Sequence, residues 1–86
     1  MRLTLVLRET ARPGLAALRD TDKEAFRRTA TAIAALADDP YPAGAVSWGG
    51  SGFYRLHAGD VRILYEVSEE AGAVYVLNVG RVLSRS

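Results

Sequence analysis

The start of the chain has the alternating pattern of a β-strand. Leu3, Leu5 and Leu7 recur at every second position, and Val6 adds an apolar residue to the opposite face. A period of two is the repeat of an extended chain, because successive side chains point to opposite faces. We therefore predict a short, well-covered strand from Leu3 to Arg8.

A short helix and a longer helix are predicted next, separated by only a few residues around Asp20. Pro13 suits the first turn of a helix, where its missing N–H is not needed. Leu15 and Leu18 follow and form a short apolar stripe on one side of that helix. Because the connection between the helices is so short, we expect them to form an antiparallel hairpin.

The longer helix has a defined start, apolar face and end. Thr21 and Glu24 have the spacing of a capping box, which predicts Thr21 as the N-cap and Glu24 near the helix start. Pro40 ends the helix, since proline disfavours the helical conformation in the residue before it. The apolar stripe between these ends is formed by Phe26, Ala30, Ile33, Leu36 and Ala37. This spacing indicates an amphipathic helix whose apolar side faces the core.

The last third of the chain predicts three strands, which follow the Gly- and Pro-rich loop "YPAGAVSWGGSG". The strands run from Gly52 to Ala58, from Val61 to Ser68 and from Ala73 to Gly80. Gly59-Asp60 joins the first pair, and the sequence "EEAG" joins the second. The predicted order β-α-α-β-β-β gives an α+β domain, with the helix hairpin packed on one face of an antiparallel sheet.

A two-residue turn at Gly59-Asp60 fixes which side chains share a face of the predicted hairpin. The resulting pairs are Ala58 with Val61, His57 with Arg62, and Tyr54 with Tyr65. The face expected to meet the helices holds Tyr54, Leu56, Val61, Ile63, Tyr65 and Val67. The other face holds Phe53, Arg55, His57, Arg62, Leu64 and Glu66. A slip of one residue would expose the apolar set, so the register of this hairpin is well specified.

The third strand is expected to extend the polar face. We predict that Val67 pairs with Ala73, which places Asn78 opposite Arg62. The apolar face then gains Tyr75, Leu77 and Val79. The expected polar row consists of His57, Arg62 and Asn78 across three strands, and Arg55 lies diagonal to Arg62. Two interpretations of this row are open: a solvated outer face, which antiparallel sheets normally have, or a cluster that holds a phosphate.

Composition excludes several classes of site. The chain has 86 residues, no cysteine and one histidine, which suits a single domain over residues 1–86 and excludes disulfides, thiolate metal sites and multi-histidine metal sites. The net charge is only +1, so any binding of nucleic acid has to come from local clustering of cations. The N-terminal apolar run is too short for a signal peptide or a membrane span. We therefore expect a cytoplasmic protein without a metal ion or other cofactor.

Several stretches resemble a known family. The segments "FYRLHAGDVRILYEV", "AVYVLNVGR", "DDPYPAG" and "SWGGSGFYR" are similar to motifs of the RelE/ParE superfamily of type II toxin–antitoxin toxins. The runs that match most closely are Tyr54-Arg55-Leu56-His57, Gly59-Asp60-Val61-Arg62 and Val79-Gly80-Arg81. The resemblance covers nearly the whole chain, and it is more specific for the superfamily than for one branch.

The two branches of the superfamily imply different targets. RelE-like toxins are ribosome-dependent endonucleases that cut mRNA without a metal ion, whereas ParE-like toxins inhibit DNA gyrase. Basic residues on the open face of the sheet favour the RelE-like branch, because RNA cleavage needs them. The resemblance thus implies translation inhibition, with the ribosome, mRNA and a cognate antitoxin as partners. Trp48, Phe53 and Tyr41 either cover the core or, if exposed, are anchors for a partner.

The resemblance also implies a role for each polar residue. In the implied reaction the mRNA 2′-OH attacks the adjacent phosphate, and His57 removes its proton, since histidine exchanges protons readily near neutral pH. Arg62 holds the phosphate, and Glu66 is either the alternative base or a residue that orients His57 or an arginine. The resemblance also implies that Arg81 is a catalytic residue. The further phosphate-binding residues that the resemblance implies are Arg55, Asn78 and Arg85.

The C-terminal stretch "VGRVLSRS" departs from the family pattern. Arg81 takes the place of a His or Lys, Val82 replaces an Arg, and no aromatic residue follows. Catalytic RelE-like members use such a tail to protonate the leaving group or to stack on a base. Either Arg81 or Arg85 compensates for this difference, or the toxin fold has lost catalysis and acts only by binding its antitoxin.

Overall fold

The computed structural model describes residues 2–82, and its first element is the strand predicted at the start of the chain. A short 3-10 turn, Glu9–Ala11, leads from this strand to the helices. In chain order the main elements are β1 (Thr4–Leu7), α1 (Arg12–Thr21), α2 (Lys23–Ala35), β2 (Val46–Ser47), β3 (Phe53–Ala58), β4 (Val61–Ser68) and β5 (Ala73–Arg81). Neither helix in the described part of the chain is long and apolar enough to cross a membrane.

The strands form a single five-stranded sheet in the order β1-β5-β4-β3-β2. β3, β4 and β5 are the antiparallel meander that the sequence predicts, and the α+β fold with its helix hairpin on one face is confirmed. Two further pairings complete the sheet at its edges, where β1 lies parallel to β5 and β2 lies antiparallel to β3. The sheet is therefore mixed, with its one parallel pair in residues 2–82 at the β1 edge.

The core lies between the helix hairpin and one face of the sheet. The largest fully buried apolar side chains are Tyr65, Leu36, Ile63, Val61, Val74 and Val76. Full burial of one such aliphatic side chain contributes about 1.5–3 kcal/mol relative to exposure. The Tyr65 hydroxyl donates to the Pro40 carbonyl oxygen at 2.8 Å, and burial raises the pKa of Tyr65 to about 12. This contact ties the loop after α2 to the sheet.

Helix α1 approaches β5 most closely at Gly14. A Cβ atom built on Gly14 would lie 1.8 Å from the Val79 carbonyl oxygen, which is far inside van der Waals contact. Because the obstacle is backbone, no side-chain rotation relieves it. Glycine at position 14 is therefore what allows α1 to lie against the sheet.

The N-cap of α2 is Asp22, so the prediction of Thr21 is wrong. The Asp22 side chain accepts a hydrogen bond from the Ala25 N–H at 3.1 Å. Thr21 is instead the last residue of α1, and its hydroxyl donates to the Ala17 carbonyl oxygen at 2.6 Å. Asp and Thr are both good N-caps, and continuation of α1 through Thr21 leaves Asp22 as the residue that joins the helices.

The register between β4 and β5 also differs from the prediction. Ser68 lies opposite Ala73, and Val67 lies opposite Val74 rather than Ala73. A β-bulge follows, because Tyr65 pairs with Val76 while Leu64 pairs with Asn78, which leaves Leu77 as an extra residue. Such a bulge shifts the alternation of side chains by one. The buried residues of β5 are consequently Ala73, Val74, Val76 and Val79, and Tyr75 and Leu77 are not among them.

Candidate nucleic-acid interface

The face of the sheet that the helices leave uncovered, called the open face below, carries a basic cluster of Arg55, His57 and Arg62. The tight Gly59-Asp60 turn sets the register of β3 and β4, and Gly59 has the positive φ of 65° that the first position of such a turn favours. His57 lies directly opposite Arg62 as predicted. Arg55 is two residues from His57 on the same face, and all three side chains are exposed.

The basic cluster has no acidic partner in the part of the chain that the structure describes. None of the ion pairs within 4 Å in residues 2–82 involves Arg55, His57 or Arg62. Arg55 and Arg62 are therefore cations without a counter-ion in the described residues, and His57 lies directly opposite Arg62. A phosphate bound beside Arg62 would be held by the charge of its guanidinium, so the cluster is electrostatically suited to a phosphate.

Gly80 and Asn78 occupy the β5 side of this cluster. The bulge places Gly80, not Asn78, opposite Arg62, so the predicted row of His57, Arg62 and Asn78 is wrong. Asn78 lies on the open face as expected, but one row away and opposite Leu64. A Cβ atom built on Gly80 would meet only Asn78 Oδ1, at 3.8 Å. The position beside Arg62 on β5 is thus open, which is a feature that sequence reasoning missed.

Glu66 lies on the same face, one row from Arg55 but two rows from the paired His57 and Arg62. It pairs with Phe53 on one side and with Tyr75 on the other. Four residues separate it from Arg62, which is about 13 Å along β4. Arg8 lies near this end of the sheet, with its guanidinium carbon 4.4 Å from the centre of the Tyr75 ring. The sequence did not indicate Arg8, because this contact depends on the parallel pairing of β1 with β5.

Arg81 lies on the opposite side of the sheet from the basic cluster. Arg81 is the strand partner of the buried Val61, and its guanidinium forms ion pairs with Asp22 and Asp60. The hydrogen bond with Asp22 is the main cause of the raised pKa of Arg81. Arg28 of α2 joins the group, with Nη2 at 3.4 Å from Asp60 Oδ1. We call Asp22, Arg28, Asp60 and Arg81 the ion cluster; Arg85 lies outside the described residues.

Comparison with known proteins identifies the family of this chain. Residues 5–84 match the family model described as "ParE toxin of type II toxin-antitoxin system, parDE". The chain belongs to this family of toxins. The predicted membership of the RelE/ParE superfamily is therefore confirmed. A search of curated proteins finds no match.

Solved structures of toxins share the fold. The archaeal RelE–RelB complex from Pyrococcus horikoshii OT3 is 22% identical with a TM-score of 0.77, covering 94% of this chain and 96% of that one. The YoeB/ParE toxin from Agrobacterium tumefaciens is 16% identical with a TM-score of 0.79, covering 94% and 100%. The isolated RelE toxin of E. coli is 20% identical with a TM-score of 0.75, covering 98% and 87%. At these identities the likeness shows the fold alone.

The toxin has a second surface feature, an apolar groove on the helix side beside β1. The groove has a volume of about 380 Å³, and its lining includes Leu5, Leu7, Leu15, Phe26, Ala30 and Ile33. Ile33 and Ala37 of the predicted α2 stripe are buried, whereas Phe26 and Ala30 are half-buried in this groove. β1 is an edge strand of the sheet, so unpaired backbone groups lie next to the apolar lining.

Proposed function

We propose that this toxin inhibits translation by cleaving mRNA on the ribosome, with the open face as the surface that binds and cuts the RNA. The observation that carries the proposal is the pairing of His57 with Arg62 across two strands. Both side chains are exposed, neither has a carboxylate within 4 Å in residues 2–82, and Arg55 lies in the next row. A phosphate and its attacking hydroxyl fit between a base and a cation placed in this way.

The proposed chemistry uses three residues. His57 takes the proton of the 2′-OH as its oxygen attacks the adjacent phosphorus, which forms a 2′,3′-cyclic phosphate. The bond to the 5′-oxygen breaks, and this leaving oxygen takes up a proton from water. Arg62 stabilises the extra negative charge that develops on the phosphate in the transition state. Arg55 holds the neighbouring phosphate, where its forked guanidinium can make two parallel hydrogen bonds.

The other residues named from the resemblance have different parts in this proposal. Arg81 serves to position β5 against the helices, because Asp22 and Asp60 hold its guanidinium on the far side of the sheet. Glu66 is too distant from Arg62 to act as the base, at about 13 Å along β4. Asn78 lies beside Gly80 and contacts the RNA backbone next to the scissile phosphate.

A cognate antitoxin is the second proposed partner. The similar structures include the RelE–RelB complex from P. horikoshii and a toxin–antitoxin complex from Mycobacterium tuberculosis. The apolar groove and the free edge of β1 together suit an antitoxin segment that folds on binding, either as an amphipathic helix or as an added strand. The toxin acts in the cytosol, where ribosomes and a newly made antitoxin are both present.

A second candidate function is inhibition of DNA gyrase. The specific observation in its favour is the family model, which carries the ParE name. The two functions differ in what is damaged, because a gyrase inhibitor leaves mRNA intact and breaks chromosomes. The engagement of Arg81 in the ion cluster favours a third candidate, a toxin fold that only binds its antitoxin.

Induced expression in cells separates these candidates. We expect wild-type toxin to arrest growth and to produce mRNA cuts that require the ribosome. His57→Ala and Arg62→Ala should abolish both effects, and co-expression of the antitoxin should relieve the arrest. Arg27→Ala is the matched control, because Arg27 is exposed on α2 and pairs with Glu24 away from the open face. Intact mRNA with broken chromosomes would favour gyrase, and absence of toxicity would favour the binding-only candidate.

A further inference from the structure

An aromatic pair, the exposed Trp48 and the half-buried Phe53, lies at the end of the open face. Trp48 follows β2 and packs edge-to-face against Phe53, with ring centroids 6.1 Å apart and planes at 64°. Phe53 lies opposite Glu66, and therefore on the face that carries Arg55 and His57. The pair is continuous with the basic cluster, since Phe53 is about 7 Å from Arg55 along β3.

The indole of Trp48 is held in place while much of it stays exposed. Its Nε1–H donates to the Tyr54 carbonyl oxygen at 3.0 Å, and its backbone N–H donates to the Phe53 carbonyl oxygen at 3.1 Å. Trp48 is nevertheless 37% exposed. Gly49 and Gly50 follow it, so the next two residues have no side chains that could cover the ring. The polar group of the indole is satisfied, and what remains exposed is π surface.

Fixed aromatic rings beside unpaired cations are the combination that binds single-stranded nucleic acid. The cations track the phosphates, and the rings stack on the bases without regard to sequence. We infer that Trp48 and Phe53 form a base-stacking subsite for single-stranded RNA, which places a base beside the aromatic pair while Arg55 and Arg62 hold the backbone. The inference rests on the proposed function, and it names the part of the substrate that the basic cluster leaves unbound.

The alternative occupant of the aromatic pair is a segment of a protein partner. Such a segment would have to lie next to Arg55, His57 and Arg62, which have no acidic partner in residues 2–82. The toxin already offers an apolar segment a better site in the groove between β1 and the helices. Charge complementarity therefore favours a polyanion with exposed aromatic bases at Trp48.

Trp48 provides its own assay, because it is the only tryptophan of the chain. The probes are a short mixed-sequence oligoribonucleotide and an abasic ribose-phosphate strand of equal length. We expect the oligoribonucleotide to quench the fluorescence of Trp48, and the abasic strand to bind more weakly and to leave the fluorescence unchanged. The loss of affinity should be roughly 5- to 150-fold, the range for one base–aromatic stack.

Variants give the second measurement, with fluorescently labelled RNA as the reporter. Trp48→Leu and Phe53→Leu keep an apolar side chain but remove the ring, so both should lower RNA affinity within the same range. Tyr41→Leu is the matched control, since Tyr41 is 44% exposed and its hydroxyl bonds Glu69. Its RNA affinity should equal that of wild type. Thermal unfolding by circular dichroism confirms that each variant is folded before binding is compared.

The outcomes separate this inference from the function on which it rests. RNA binding that is lost in Arg62→Ala but is unchanged in Trp48→Leu, with equal affinity for the abasic strand, overturns the stacking subsite alone. No binding of the oligoribonucleotide by folded wild-type toxin overturns the stacking subsite, whereas the proposed function is overturned only if mRNA on purified ribosomes stays intact. If Trp48→Leu binds RNA normally but loses binding to an antitoxin that wild-type toxin binds, the aromatic pair is a protein anchor and the inference is wrong.

Discussion

The arginines near the Gly59-Asp60 turn are in opposite situations on the two sides of the sheet. On the helix side, Arg28 and Arg81 are paired with Asp60, and Arg81 is also paired with Asp22. On the open face, Arg55 and Arg62 have no carboxylate within 4 Å in the described residues.

Exposure does not distinguish the two sets, because the Arg81 side chain is still 39% exposed. A phosphate reaching Arg81 would have to displace two carboxylates, whereas a phosphate reaching Arg62 displaces only water. Unsatisfied charge is therefore a better guide to a binding role than the presence of arginine in a motif.

The largest effect that tests this comparison is expected from Arg62→Ala set beside Arg81→Ala. Removal of one group that stabilises a transition-state charge typically lowers the rate about 10²- to 10³-fold. We expect a loss of that size in mRNA cleavage on purified ribosomes for Arg62→Ala, with unchanged thermal unfolding. Arg81→Ala should instead unfold more readily while it retains most of its cleavage activity.

The reverse pattern would contradict the comparison. If Arg81→Ala is folded as stably as wild type and loses cleavage to the same extent as Arg62→Ala, Arg81 acts at the phosphate. The role that the family resemblance implies for it would then be correct, and the ion cluster would open when RNA binds.

Two glycines differ in the same way between the two sides of the sheet, since one is tightly packed and the other has free space beside it. A Cβ atom on Gly14 meets the Val79 carbonyl oxygen at 1.8 Å, while a Cβ atom on Gly80 meets only Asn78 Oδ1, at 3.8 Å. Overpacking costs about 1–3 kcal/mol and occasionally more, so we expect Gly14→Ala to lower the free energy of unfolding by about 3 kcal/mol. Gly80→Ala should stay within about 1 kcal/mol of wild type. Urea unfolding measures both, and equal stability of the two variants would show that α1 can move away from β5.

The sequence predicts the fold and the β3–β4 part of the site because local rules agree there. The Gly59-Asp60 turn admits one register, and every second residue of β4 from Val61 to Val67 is apolar or aromatic, with Leu64 as the one apolar residue on the other face. His57 and Arg62 are therefore brought together by short-range signals alone. The resemblance to the superfamily adds the element order, which the helix patterns also support.

The register of β5 and the N-cap of α2 could not be predicted, because the sequence is compatible with more than one arrangement at each place. Every residue from Ala73 to Leu77 is apolar or aromatic, so alternation cannot assign a face, and the bulge at Leu77 has no local signature. Thr21 and Asp22 are adjacent and are both good N-caps, so tertiary packing decides between them. Arg81 lies beside Asp22 because of both the bulge in β5 and the use of Asp22 as the N-cap. The alternation of apolar residues could not predict this contact.

Thr29 tests whether every buried polar group on the helix side of the sheet has a hydrogen-bond partner. Its side chain is fully buried in α2, and its hydroxyl has no hydrogen-bond partner in the described residues. Val has nearly the same shape and no polar group, so Thr29→Val removes an unpaired buried hydroxyl. We expect the free energy of unfolding to rise by about 1 kcal/mol. Thr31→Val, at an exposed position of the same helix, is the control and should change it little. A loss of stability in Thr29→Val would mean that the hydroxyl is satisfied.

The smallest expected effect concerns the charge of Asp22 in the ion cluster. The hydrogen bond from the Ala25 N–H, followed by the one from Arg81, holds the pKa of Asp22 below its ordinary value of 3.8. A carboxylate with a lowered pKa stabilises the fold above the pKa it has in the unfolded chain. That stabilisation is lost as the pH falls through the lowered value in the folded state.

Asp22→Asn isolates this charge, because Asn is as good an N-cap as Asp and keeps the acceptor for the Ala25 N–H. We expect the variant to have a flatter dependence of stability on pH below about pH 4, where an unpaired Asp begins to protonate. The difference from wild type should shrink at high salt, since the partly exposed pair with Arg81 is screened. Asp20→Asn, at an exposed position of α1, should retain the wild-type pH dependence. Identical acid unfolding curves for wild type and Asp22→Asn would mean that the charge of Asp22 contributes no pH-dependent stability to the ion cluster.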